Sequence, residues 1–260
     1  MGKVQFGLED KGVLITGASK GLGAVCAGAL SEEGARLVLM ARSGDRLEEV
    51  RKNCRDRDRH LSIALDLCDM QALESAVKKA EEFLGDIDVV LHVAGGGLGM
   101  RDPLLSADEF FKLFSLNVAA SVQINKMVAP KMMERKQGNL VHVCSISSSE
   151  ATGSVGYNTV KAALAAYVRS LGREIAGSGV VATGILPGGF YAPENAFARL
   201  KERNPEGFKD FVERRLPRKV IGRAEELVPM ILLLSSEAAS MMGGCLVPID
   251  AGEGLNFITS

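Results

Sequence analysis

Residues 12–30 read GVLITGASKGLGAVCAGAL. The first five residues are almost all aliphatic and show no polar alternation, which predicts a strand covered on both faces. The run breaks at Thr16-Gly17-Ala18-Ser19-Lys20-Gly21-Leu22-Gly23, and an Ala-rich helical pattern follows. Each glycine has a physical task in such a turn. Gly17 would allow the sharp exit from the strand, Gly21 would let backbone approach a pyrophosphate, and Gly23 would let the helix pack close to the sheet. The helix start would add free N–H donors and positive potential, which suit a phosphate. The chain has 29 glycines, so the spacing alone means little. Its weight comes from its place between a first strand and a first helix.

Further strand-like runs follow at 35–41, 61–67, 87–95, 139–146, 180–186 and 246–250, separated by helical patterns over 21–33, 44–55, 69–84, 106–136, 156–177 and 224–235. Alternating βα units of this kind predict an α/β fold: a doubly wound parallel sheet of about seven strands, with right-handed crossovers and helices on both faces. No Pro/Gly/Ser-rich linker divides the chain, so residues 1–260 read as one domain. The segment 190–220 (FYAPENAFARLKERNPEGFKDFVERRLPRKV) stands outside the alternation. Insertions at the carboxyl ends of strands cover the ligand crevice in open sheets, so a lid is expected here.

Composition removes several classes. With 31 basic and 32 acidic residues the net charge is −1, and nothing calls for nucleic acid or an acidic membrane. The apolar fraction is 47% and the charged fraction 24%, which is globular rather than disordered. No apolar run is long enough to span a bilayer, and residues 1–12 lack the apolar core of a secretory signal. Cys26, Cys54, Cys68, Cys144 and Cys245 are odd in number and form no CxxC, which argues for a reducing cytoplasm and against a disulfide framework. His60, His92 and His142 have no metal-ligand spacing, so no metal site is expected. The mixed charges of Arg51–His60 read as a solvated face.

Tyr157 and Lys161 are spaced i, i+4 near the start of a helical pattern, which stacks both side chains on one face. A free tyrosine holds its proton too tightly for acid/base work at neutral pH, and a fixed ammonium nearby favours the phenolate. The turn TGxxxGxG, together with this YxxxK, resembles the short-chain dehydrogenase/reductase family, whose fold is Rossmann-like. The resemblance runs from Lys11 to about Gly252, and similarity to 3-oxoacyl carrier-protein reductases is its broadest form.

The resemblance implies a nicotinamide dinucleotide across the strand ends. Gly17, Ser19, Lys20, Gly21, Leu22 and Gly23 would hold its pyrophosphate end. Ala41-Arg42-Ser43 closes the second strand without a carboxylate, so Arg42 with Lys20 could clamp a 2′-phosphate, which points to NADP(H) ahead of NAD(H). Asp66-Leu67, placed at the end of the third strand, would meet the adenine. His92-Val93-Ala94-Gly95 stands where relatives carry Asn-Asn-Ala-Gly; Ala94 and Gly95 match, and the two preceding residues depart. Pro187-Gly188 matches the nicotinamide-side turn, but the threonine common a few residues later is missing, with Tyr191 or Ala192 near its place.

For the chemistry, the resemblance implies Asn117, Ser145, Tyr157 and Lys161. Ser145 precedes the tyrosine by twelve residues; Ser147, Ser148 and Ser149 leave the choice of serine open. Asn117 would position a water behind the lysine. The implied reaction interconverts a carbonyl and a secondary alcohol by hydride transfer. Its substrate is a small molecule, expected to be a 3-oxoacyl thioester or a sugar of surface-glycan biosynthesis. The alternative is a catalytically silent NADP(H)-binding sensor of the same fold. Eight basic residues in the insertion would suit a phosphorylated or carrier-bound substrate, and a solvated helix face explains them equally well. The family pattern also implies a homotetramer, or a homodimer, through helices 106–136 and 156–177.

Overall fold

The computed structural model describes residues 5–256. Seven strands form one parallel sheet: β1 (Gly12–Thr16), β2 (Arg36–Ala41), β3 (Leu61–Ala64), β4 (Val89–His92), β5 (Gly138–Val143), β6 (Val180–Pro187) and β9 (Leu246–Ile249). Their order is β3-β2-β1-β4-β5-β6-β9, so the chain reverses its direction of growth between β1 and β4. All the strand ends that carry candidate residues therefore lie along one edge, beside that reversal point.

Successive strand residues go to opposite layers, as the two-residue period of a strand requires. Val13, Ile15, Leu37, Leu39, Val89 and Leu91 join one core, while Leu14, Val38, Met40 and Val90 join the other. Helices α1 (Gly21–Glu32), α2 (Gly44–Asn53) and α9 (Val228–Leu234) cover the first layer through Leu22, Cys26, Leu30, Leu47, Ile231 and Leu234. Helices α3 (Met70–Leu84), α5 (Ala120–Glu134) and α6 (Val155–Glu174) cover the second, through Leu73, Val77, Ile124, Val128, Leu164 and Val168. The continuous apolar runs are thus explained by burial on both faces.

Three expectations need correction. The single helix over 106–136 is broken: α4 (Ala107–Phe114) leads into a π-helical turn, Ser115–Ala119, before α5 begins. The third strand ends at Ala64, so Asp66 and Leu67 lie just beyond it, although the Leu65 N–H still donates to the Ala41 carbonyl at 2.9 Å. The helix over 224–235 is also shorter than expected, since a 3₁₀ turn at Ala224–Glu226 precedes α9.

The segment after β6 folds as strand β7 (Phe190–Tyr191), helices α7 (Ala196–Arg203) and α8 (Pro205–Arg215), and strand β8 (Gly222–Arg223), which pairs with β7. Asn204 ends α7 and caps α8, accepting from the Gly207 N–H at 2.9 Å with Pro205 in the first helical turn. Phe197 packs on Phe211, ring centres 4.9 Å apart, and holds the two helices together.

Candidate active site

The glycine turn is built as its sequence requires. Gly17 has φ +71°, and a Cβ placed there would lie 2.8 Å from the Ala94 nitrogen at the end of β4. A Cβ on Gly23 would lie 2.3 Å from the Gly17 carbonyl oxygen, so α1 can approach the turn only with glycine at this place. Lys20 is the N-cap of α1 and provides no side-chain cap. The first N–H groups of α1 therefore have no side-chain acceptor from the N-cap, as an anion site at a helix start needs. Around Gly21 the nearest atom to an added Cβ is the Pro193 carbonyl oxygen at 3.8 Å, which leaves a cradle over the turn. These residues fit the pyrophosphate of a dinucleotide.

The neighbouring strand ends extend this cleft. Arg42 is exposed at the end of β2, and Arg46 stands in the first turn of α2. Beyond β3, the Asp66 carboxylate accepts the Cys68 N–H at 2.9 Å, while Leu67 is buried. Thr16 Oγ1 accepts the Ala94 N–H at 3.3 Å and joins the ends of β1 and β4. At the end of β6, Pro187 is buried, and the following Gly188 N–H donates to the Ile249 carbonyl at 3.2 Å. Of the two residues near the missing threonine, Ala192 is buried and Tyr191 is exposed, with Lys201 Nζ 5.8 Å from its ring centre.

The residues expected to carry chemistry converge beside the β4 and β5 ends. Lys161 is buried on α6, and its Nζ donates to the Val143 carbonyl at 2.8 Å. The same Nζ is 5.8 Å from the centre of the Tyr157 ring. A Cβ on Gly95 would be 2.7 Å from Asn117 Oδ1 and 3.3 Å from Lys161 Nζ, and one on Gly97 would be 3.8 Å from Tyr157 Cβ. The glycine-rich loop after β4 thus runs directly over these three side chains.

Asn117 lies in the π turn and is fully buried. Its Nδ2 donates to the Leu113 carbonyl at 2.9 Å, the acceptor that a regular α-turn would give to its own backbone N–H. The same side chain bonds the Gly96 peptide through both its amide atoms. An asparagine in mid-helix, unfavourable by propensity, therefore has a local purpose.

Among the serines, Ser145 Oγ accepts the Ser147 N–H at 3.1 Å, which leaves its O–H free to donate elsewhere. Ser147 Oγ is instead paired with Thr152 Oγ1 at 2.6 Å, and Ser149 Oγ turns back to the Ile146 carbonyl at 3.5 Å. Ser148 Oγ is buried without a partner, so Ser145 and Ser148 are the two of this run whose Oγ does not pair with another hydroxyl or a carbonyl.

Beneath this site His92 and His142 stack, ring centres 4.6 Å apart. Asn125 bridges them: its Oδ1 accepts from His92 Nε2 at 2.8 Å, and its Nδ2 reaches His142 Nε2 at 3.1 Å and the Tyr167 hydroxyl at 3.1 Å. His142 Nδ1 donates to the Thr183 carbonyl at 3.0 Å. Burial pushes His142 down to about 4, and burial together with the His142 ring holds His92 well below the usual range. Both are neutral, and together with Asn125 they tie β4, β5 and β6; only His92 stands in a departed family position.

Several contacts at the site were not visible in the sequence. Glu253, nearly fully buried, accepts the Gly189 N–H and lies 3.5 Å from Arg215 Nε, so the C-terminal loop holds the turn after β6. Glu150 accepts the Leu255 and Asn256 N–H groups at 2.8 and 3.1 Å. Glu194 pairs with Arg46 and Lys20. No short-range pattern marks these residues, because each partner lies far away along the chain.

A doubly wound parallel sheet with a glycine cradle, and a Tyr–Lys pair beside it, defines a dinucleotide-binding α/β protein of the oxidoreductase kind. The profile of the short chain dehydrogenase family matches residues 11–203, and the chain belongs to that family. It is 30% identical over 251 residues to gluconate 5-dehydrogenase of Gluconobacter oxydans (strain 621H), covering 95% of this chain and 96% of that one. Among solved structures it resembles a 3-oxoacyl (acyl-carrier-protein) reductase of Agrobacterium tumefaciens C58 with NADP bound, with a TM-score of 0.87, 26% identity, and 95% and 96% of the two chains covered. It also resembles L-sorbose reductase of Gluconobacter frateurii complexed with NADPH and L-sorbose, with a TM-score of 0.86, 25% identity, and 98% and 100% covered. The chain is thus a short-chain oxidoreductase. Among the described residues, no helix is long and apolar enough to cross a membrane.

Proposed function

We propose that the protein is an NADP(H)-dependent oxidoreductase that interconverts a ketone and a secondary alcohol on a small polyhydroxylated substrate, with Tyr157 as general acid and base. The observation that carries this reading is the buried Lys161 ammonium, fixed on the Val143 carbonyl at 2.8 Å and 5.8 Å from the Tyr157 ring centre. Gly17, Ser19, Lys20, Gly21, Leu22 and Gly23 would hold the pyrophosphate, Arg42 and Lys20 the 2′-phosphate, and Asp66 and Leu67 the adenine side. Ala94, Gly95, Pro187 and Gly188 would border the nicotinamide.

When bound, the cofactor supplies the hydride or accepts it. Ser145 Oγ–H and the Tyr157 hydroxyl hydrogen-bond the carbonyl oxygen and orient its carbon. As the oxygen gains charge, Tyr157 gives it the phenolic proton, and the Lys161 ammonium stabilises the phenolate left behind. Asn117 fixes the loop over Lys161, along which water returns the proton. In the reverse direction Tyr157 takes the alcohol proton.

A polyhydroxylated substrate is supported by the similarity to gluconate 5-dehydrogenase over 95% of the chain. A carrier-bound thioester is less well supported, because four of the eight basic residues of the insertion already face carboxylates. Lys209 pairs with Glu213, Arg214 with Asp210, Arg215 with Glu253 and Arg218 with Glu226. Residues 190–220 then act as a lid over the substrate. Assembly as a homotetramer uses α4, α5 and α6, where Phe111, Phe114 and Val122 stand exposed; light scattering that returned a monomer would contradict it.

The test is absorbance of NADPH and of NADH with keto-sugars, keto-sugar acids, 3-oxoacyl thioesters and simple ketones. Turnover of a hydroxylated ketone with NADPH supports the reading. Turnover of thioesters alone, or with NADH alone, overturns the corresponding part.

A further inference from the structure

The insertion begins with a carboxylate placed on two cations at the ribose end of the cleft. Residues 192–195 form a turn in which the Asn195 N–H donates to the Ala192 carbonyl at 3.1 Å. Pro193 is second in the turn, and Glu194 is third with φ +58°. Positive φ at that place is the arrangement of a type II turn, where glycine or asparagine is the ordinary occupant. Glutamate is held there against its preference. Asn195 Nδ2 donates to the Phe190 carbonyl at 2.6 Å, Asn195 Oδ1 accepts the Ala198 N–H at 2.8 Å, and Arg199 donates to the Glu194 carbonyl.

This turn stands over the glycine turn, with the Pro193 carbonyl oxygen 3.8 Å from a Cβ placed on Gly21. From there the Glu194 carboxylate pairs with Arg46, and it lies 3.7 Å from Lys20 Nζ. The two cations come from the turns after β1 and β2, which flank the proposed 2′-phosphate position.

Resting on the cofactor reading given above, we propose that Glu194 determines cofactor choice by competing with the 2′-phosphate for Lys20 and Arg46. NADP(H) then binds by displacing this carboxylate and freeing the first turn of the lid, whereas NAD(H) binds with the turn still latched. The competition is physically balanced. The carboxylate is tethered and acts at high effective concentration. The phosphate brings close to two charges and three acceptor oxygens, and Arg42 stands beside it at the end of β2. Cofactor identity and lid freedom are therefore coupled through one side chain.

The experiment measures dissociation constants of NADPH and NADH by nicotinamide fluorescence for the full chain, Glu194→Gln and Glu194→Lys. Hydrogen exchange of residues 190–200 is followed in parallel. Glu194→Gln should tighten NADPH by about three- to tenfold, as loss of two exposed ion pairs implies, and leave NADH within about twofold. Glu194→Lys should tighten NADPH further, and the effects should shrink at about 0.3 M salt. In the unsubstituted chain NADPH, unlike NADH, should speed exchange at residues 193–199. Equal changes for both cofactors, weaker NADPH binding by the variants, or exchange that NADPH does not alter would overturn the latch while leaving the cofactor reading intact. Binding of neither cofactor by the unsubstituted chain would instead overturn the cofactor reading, and the latch with it.

Discussion

Asn117 and Gly96 hold each other by two hydrogen bonds: Asn117 Oδ1 accepts the Gly96 N–H at 2.9 Å, and Asn117 Nδ2 donates to the Gly96 carbonyl at 3.0 Å. The pair joins the loop after β4 to the π turn, directly over Lys161. Truncation would strand the buried Leu113 carbonyl and the partly buried polar groups of Gly96. Asn117→Ala should therefore cost about 2–4 kcal/mol of stability in urea unfolding and lower kcat more than it raises KM. Asn117→Asp keeps the shape but turns an acceptor toward two carbonyls, and it should do no better. Unchanged stability in both variants would show that the clasp is not formed.

The buried histidine pair sets a pH dependence. Unfolded histidine takes up a proton near pH 6.5, whereas His142 in the fold does so only at about 4. Between these values the unfolded chain binds more protons, so stability falls as pH drops from about 6.5 toward 4. For His142 alone the loss amounts to about 3 kcal/mol at the lower end. His92 is shifted in the same direction and adds to it. Urea midpoints measured from about pH 7.5 to pH 4.5 should decline along this window. In His142→Asn the slope should be shallower, even if the protein is weaker at pH 7.5. An unchanged slope in that variant would contradict the assignment.

How much of this was legible in the sequence depends on the range of the interaction. The sheet and its two covering layers followed from continuous aliphatic runs such as Gly12–Thr16, because a buried parallel strand leaves that mark wherever it occurs. The glycine turn and the i, i+4 pair Tyr157 and Lys161 were legible because they are local. The break at Ser115–Ala119 was not, since the apolar periodicity of residues 106–136 continues through it. Its cause is tertiary: Asn117 is drawn to Gly96, 21 residues away. Arg46 and Glu194 are 148 residues apart, and Gly189 and Glu253 are 64 apart, so no motif could join them. The basic stretch of the insertion could be counted but not paired, and the structure sets carboxylates against four of its eight basic residues.

Cys68 offers a simple occupancy probe. It is exposed beyond β3, although partial burial and the neighbouring Asp66 carboxylate push its thiol up, whereas Cys26 and Cys144 are buried, with burial pushing them up to about 12 and about 11. A thiol reagent at about pH 8 should therefore modify Cys68 first in the native protein. NADPH at saturation should slow that modification, because Asp66 and Leu67 are proposed to meet the adenine. Reaction at the same rate with and without NADPH would place the adenine elsewhere.

The buried carboxylate of Glu253 anchors the turn that follows Pro187 and Gly188. Glu253→Ala would leave the Gly189 N–H and Arg215 without this acceptor. It should lower stability by about 1–3 kcal/mol and make residues 188–195 easier to cleave in limited proteolysis. A cleavage pattern like that of the unsubstituted chain would show that the C-terminal loop does not hold this turn.

The most direct test of the central claim compares Tyr157→Phe with the unsubstituted protein on the best ketone of the panel, with NADPH binding measured alongside. Loss of the phenolic proton should reduce kcat by about 100- to 10,000-fold while the NADPH dissociation constant stays within about twofold. A phenylalanine variant that keeps kcat within about tenfold of the unsubstituted protein would contradict Tyr157 as the acid and base.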